Sequence, residues 1–167
     1  MAAMKAALPV ALKTAALPTV SGVWGYDSGA TAAALAAKQI PDLKQLKFLI
    51  AGGGIYDYDD TLRTTQDSYL KADLAALQKS GGSKAFDDRS ISYDVSGLPP
   101  NIYLYHGAVD TAVPLAQAKA FADSLESSGK YKVNFQPLEG LGHEIPWQKH
   151  RLIIESFAAA ANGKAAT

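Results

Sequence analysis

Cysteine is absent from the 167 residues, which removes disulfides, thiolate metal sites and a cysteine nucleophile. Long apolar runs are absent too. No stretch approaches the ~20 uninterrupted apolar residues of a membrane span, so no membrane partner is expected. Net charge is also missing: sixteen basic residues cancel sixteen acidic ones. An isoelectric point near 6.8 then gives no reason to expect nucleic acid or another polyanion. Bulk is scarcer than the 48% apolar content suggests, because 30 of the residues are alanine. A secretion signal is not expected in residues 1–20, because Lys5, Pro9 and Lys13 interrupt the apolar run it requires. A helix leading into the first strand is the expectation there. The compartment stays open, with the cytoplasm favoured.

Four short apolar runs alternate with helical patterns. Strands are expected at 19–24, 46–51, 102–105 and 131–137, the second closed by Gly52-Gly53-Gly54. The Ala-rich stretch 30–38 is helix-prone. Pro114 suits the first turn of a helix with Leu115, Ala118, Phe121, Ala122 and Leu125 at apolar positions, stopped by Ser128-Gly129. The last helix carries Leu152, Ile153, Ile154 and Phe157, with Asn162-Gly163 as its stop. Such alternation predicts an α/β fold: one domain over residues 1–167, a mostly parallel sheet of about four strands, helices on both faces. Residues 57–98 break the rhythm. They hold one clear helix (Leu70, Leu74, Leu77, ended at Gly81-Gly82) and read as a lid-like insertion or pocket wall.

Three short motifs carry chemistry. Gly25-Tyr26-Asp27-Ser28-Gly29 follows a strand and opens a small-residue helix. His106-Gly107-Ala108-Val109-Asp110 ends the third strand, and Gly142-His143-Glu144 follows the fourth. Asp110 lies 83 residues after Asp27 (110 − 27), and His143 lies 33 beyond Asp110 (143 − 110). The order is elbow, acid, histidine. A nucleophile on a tight strand-to-helix turn needs an imidazole to manage protons, and the imidazole needs a carboxylate to hold its tautomer. Taken singly, Asp27 and Asp110 read as helix caps or turn residues, and His143 as a surface histidine. Their combination favours catalytic positions.

The stretch from Leu98-Pro99-Pro100-Asn101-Ile102-Tyr103-Leu104-Tyr105-His106-Gly107 through Asp110, Val113-Pro114 and Gly142-His143-Glu144 resembles α/β-hydrolase superfamily esterases and peptidases of the dienelactone-hydrolase and prolyl-oligopeptidase-like kind. Trp24-Gly25-Tyr26-Asp27-Ser28-Gly29-Ala30 is similar to their elbow, except that aspartate stands where they place serine. The resemblance implies a half-length α/β hydrolase, the last four strands of the family's sheet. It implies Asp27, His143 and Asp110 as nucleophile, base and orienting acid, with the Ser28 N–H as one oxyanion donor. The loop providing the family's second oxyanion amide is missing. No cofactor or metal is implied.

The aspartate divides the functional expectation. The esterase-like scaffold implies carboxylic esters. An elbow carboxylate resembles the haloalkane dehalogenases and epoxide hydrolases, which attack alkyl electrophiles. It also sets negative charge beside His143, favouring imidazolium over a free base. The alternative is an inactive or engineered half-hydrolase acting as a binding or assembly module. A homodimer is expected to cover the outer edge of the first strand. His106 is expected to be structural and His150 exposed. Asp57, Asp59 and Asp60 fail the calcium-loop pattern, because Leu62 and Ser68 stand at its sixth and twelfth places, and read as a solvated acidic turn. The glycine runs match neither a phosphate loop nor a dinucleotide fingerprint.

Overall fold

Apolar residues at 22–26, 48–52, 101–107 and 132–138 form four strands that all run the same way. In the computed structural model, which describes residues 22–40 and 45–161, these are β1 (Gly22–Tyr26), β2 (Phe48–Gly52), β3 (Asn101–Gly107) and β4 (Lys132–Leu138). They lie in the order β1-β2-β3-β4, every neighbouring pair parallel. The helices are α1 (Ser28–Gln39), α2 (Tyr58–Thr64), α3 (Ser68–Asp87), α4 (Leu115–Ser127) and α5 (Trp147–Ala161). The α/β class, the parallel sheet and the strand count agree with the sequence reading. Part of the expected first strand (19–21), the leading helix and the Asn162-Gly163 stop lie outside the described residues. β1 also runs two residues past Trp24, to Tyr26.

Alternation along the strands divides the core into two layers. Leu49, Ala51, Ile102 and Leu104 face Ala30, Ala33 and Ala34 of α1 and Ala118, Phe121 and Leu125 of α4. Phe48, Ile50 and Tyr105 face Ile153 and Phe157 of α5. The alanines thus have a use: they bring α1 close to the sheet. Closest is Gly25, where a Cβ would stand 2.0 Å from the Gly29 carbonyl oxygen, so no larger residue fits. Gly29 is different. A Cβ there meets nothing within 4 Å, so only the first glycine of the motif is required by packing.

Residues 57–98 hold more structure than one helix. Asp57 caps α2 by accepting the Asp60 N–H at 2.9 Å, so the acidic run is a helix start. Gly81-Gly82 does not end α3. The helix continues to Asp87 through a kink at Gly82, whose φ of 64° and ψ of −166° suit glycine. Ile55, Tyr58, Leu74, Phe86 and Val113 pack this segment beside the carboxyl ends of the strands. Leu152, expected at an apolar position of α5, is exposed.

Among the described residues β1 is the sheet's outer strand. We propose that a second copy of the chain covers that edge. Light scattering at micromolar concentration should give twice the chain mass, and a monomer's mass would contradict the pairing.

Candidate active site

The parallel sheet sends every strand's carboxyl end to one side, and the three motif residues follow β1, β3 and β4 there. Asp27 occupies the turn between β1 and α1 with φ of 53° and ψ of −130°. It is the one non-glycine with positive φ among the described residues. Such backbone persists only where its surroundings enforce it. Here the Asp27 N–H is held by the Gly52 carbonyl at 2.9 Å, and its own carbonyl accepts from Ala30 at 2.9 Å. Although it precedes α1, its side chain makes no capping bond. The carboxylate projects outward, about half exposed.

Asp110 is buried and held on both oxygens. Its Oδ1 accepts the Ala112 and Val113 N–H groups at 2.9 Å each. Oδ2 accepts His143 Nδ1 at 2.8 Å and lies 3.3 Å from His106 Nε2. Asp110 is thus a turn residue through Oδ1 and the carboxylate partner of His143 through Oδ2. Burial opposes its charge, but His106, His143 and the Val113 amide prevail and hold its carboxyl far below the ordinary range. His106 is fully buried, and its Nε2 donates to the Val113 carbonyl at 2.7 Å, fixing the tautomer.

On its far side, His143 Nε2 lies 3.6 Å from Asp27 Oδ1. The imidazole thus sits between two carboxylates. Asp110 contributes most and Asp27 next, against a smaller cost of burial, and the His143 pKa rises to about 10. Reciprocally, His143 lowers the Asp27 pKa against burial, and the Ser28 amide adds to the effect. At neutral pH the site is carboxylate, imidazolium, carboxylate. Beside Ser28 opens a cleft of about 1030 Å³, walled by Thr31, Leu35 and Lys38 of α1 and by Tyr58, Arg89 and Tyr93.

A sequence profile of the prolyl oligopeptidase family matches residues 4–161. The chain belongs to the prolyl oligopeptidase family. Solved structures agree on the fold. The Pyrococcus horikoshii acylaminoacyl peptidase is 16% identical with a TM-score of 0.68, covering 93% of this chain and 24% of its own. A Mycobacterium tuberculosis puromycin-hydrolyzing peptidase is 21% identical with a TM-score of 0.71, covering 93% and 23%. The Thermogutta terrifontis esterase Est2 is 18% identical with a TM-score of 0.58, covering 83% and 54%. This family member therefore spans about a quarter of each peptidase. No curated protein sequence matches the chain.

One histidine was misplaced by sequence reasoning. His150, expected to be exposed, is buried, and its Nδ1 accepts from the Tyr105 hydroxyl at 2.9 Å. That hydroxyl in turn accepts the Trp24 indole N–H at 3.0 Å. Tyr26, to which the sequence motifs give no role, donates its hydroxyl to the His143 carbonyl. No sequence signal marks a side chain whose partner is a distant backbone carbonyl.

Because folding raises the His143 pKa above its ordinary value near 6.5, its contribution to stability is complete below about pH 6.5. It disappears as pH rises through about 10. Urea midpoints of the wild type and His143→Gln should differ most at pH 5–6.5 and converge by about pH 10. A gap that does not change with pH would contradict the two-carboxylate setting.

Proposed function

We propose that the chain is a hydrolase in which Asp27 is the nucleophile, His143 the proton carrier and Asp110 the acid that orients it. The observation carrying this reading is the His143 ring, 2.8 Å from Asp110 on one nitrogen and 3.6 Å from Asp27 on the other. The cleft that Ser28 borders is lined by α1, Tyr58 and residues between 87 and 97, and Asp27, Asp110 and His143 are not among its walls.

The elbow carboxylate suits an alkyl electrophile better than an ordinary ester. One Asp27 oxygen bonds to the alkyl carbon as the leaving group departs with its electron pair, giving an ester on the side chain. Asp27 is then neutral, so His143 keeps only Asp110 as a countercharge and gives up its Nε2 proton more readily. The proton passes to an alkoxide leaving group, or to solvent when the leaving group is a halide. Neutral His143 next takes a proton from a water, whose oxygen attacks the Asp27 ester carbonyl. Collapse cleaves the carbonyl carbon–alkoxy oxygen bond, the product alcohol takes the proton of the new carboxyl group, and carboxylate and imidazolium are restored.

A second reading has its own support. In the resting state the imidazolium has no lone pair to offer, which fits a scaffold whose hydrolytic chemistry is silent and whose role is binding or assembly. Assays of the unmodified chain and of Asp27→Ser separate the two readings. Turnover of a haloalkane or epoxide by the unmodified chain, lost in His143→Gln by about 100-fold or more, supports the aspartate nucleophile. His143-dependent hydrolysis of a short activated ester by Asp27→Ser alone would mark a silenced esterase. No turnover in any form would favour the binding reading.

A further inference from the structure

Asp27 and His143 come from segments 116 residues apart (143 − 27), so something must set the distance between their side chains. Asp27 is fixed by its own backbone bonds to Gly52 and Ala30. The loop carrying His143 is tied toward β3 by the Val109 N–H, which donates to the Leu141 carbonyl at 3.0 Å. That tie reaches the loop two residues before the histidine and does not touch the elbow. Besides the Asp27–imidazole approach, loop and elbow are joined by Tyr26, whose ring lies 5.8 Å from the imidazole and whose hydroxyl donates to the His143 carbonyl from the position immediately preceding Asp27.

The Tyr26 ring is itself locked. It stacks on Tyr105 with centroids 6.1 Å apart at 20°, and meets His150 edge-on at 4.4 Å and 72°. Tyr105 and His150 are held to one another and to Trp24 by the hydroxyl and indole bonds described above. Gly53 leaves the space this needs, since a Cβ there would stand 2.9 Å from the Tyr26 ring. Burial, together with the charge of Asp110, pushes the Tyr26 hydroxyl well above the ordinary phenol range, so it stays a donor. A donor one residue from the elbow, on a ring packed against Tyr105 and His150, is suited to fix a neighbouring loop.

We propose that Tyr26 is a positioning residue: its hydroxyl clasps the His143 loop to the elbow and thereby sets the spacing between the Asp27 carboxylate and the imidazole. The catalytic meaning of the clasp rests on the hydrolase reading above. The clasp itself is tested without turnover. Tyr26→Phe keeps the ring and removes only the hydroxyl, and its circular dichroism should match the wild type. Nuclear magnetic resonance titration of histidine-labelled protein then reads His143 directly. In Tyr26→Phe its midpoint should fall by about 1 unit, because the Asp27 contact loosens while the Asp110 contact stays. A His143 midpoint unchanged in the folded variant overturns the proposal. Absence of turnover in every form of the protein would remove the hydrolase reading and leave this outcome standing, since the titration counts protons and not product.

Discussion

His143 is held by two carboxylates that reach it from different strands, and the arrangement of the mouth of the sheet follows from that pairing. Asp110 arrives after β3 with both oxygens engaged by backbone amides and imidazoles, so it cannot turn away. Asp27 arrives after β1 on a backbone turn that ordinary residues avoid. For the turn to form, α1 must descend almost onto β1, which Gly25 and the alanine face of the helix permit. The small side chains of the sequence are therefore part of the site's construction as well as of its core.

The charge balance distinguishes this chain from a serine-bearing scaffold of the same fold. A neutral hydroxyl at the elbow would leave the imidazole one countercharge and a usable lone pair. A carboxylate there supplies a second countercharge and fills that lone pair with a proton. The loss is reversible in principle, because a carboxylate that becomes an ester no longer holds the proton in place. In the proposed aspartate-nucleophile reading, that dependence of the histidine on the covalent state of its neighbour links the family's scaffold to alkyl-carbon chemistry.

Much of this was legible in the residues. The alternation of apolar runs and helical patterns predicted a parallel sheet because parallel strands need crossovers of that length. Asp27, Asp110 and His143 stood out because each follows a strand and each precedes or accompanies a turn signal. What stayed hidden depended on long-range partners. His150 looked exposed because its hydrogen-bond partner, Tyr105, lies 45 residues earlier. The role of Tyr26 carried no signal, because its acceptor is a backbone carbonyl, which has no side-chain signature. α2 is short and begins in an acidic run, although Asp57 with Asp60 three places later gave its cap. Gly81-Gly82 read as a stop, but one glycine absorbed the whole change of direction and the helix resumed.

Neutron diffraction from crystals grown near neutral pH addresses the central claim most directly, because it shows hydrogens on nitrogen. The two-carboxylate setting predicts density on both Nδ1 and Nε2 of His143, with Asp27 and Asp110 both unprotonated. A single protonated nitrogen on His143, or an Asp27 carboxylate turned away from it, would contradict the account.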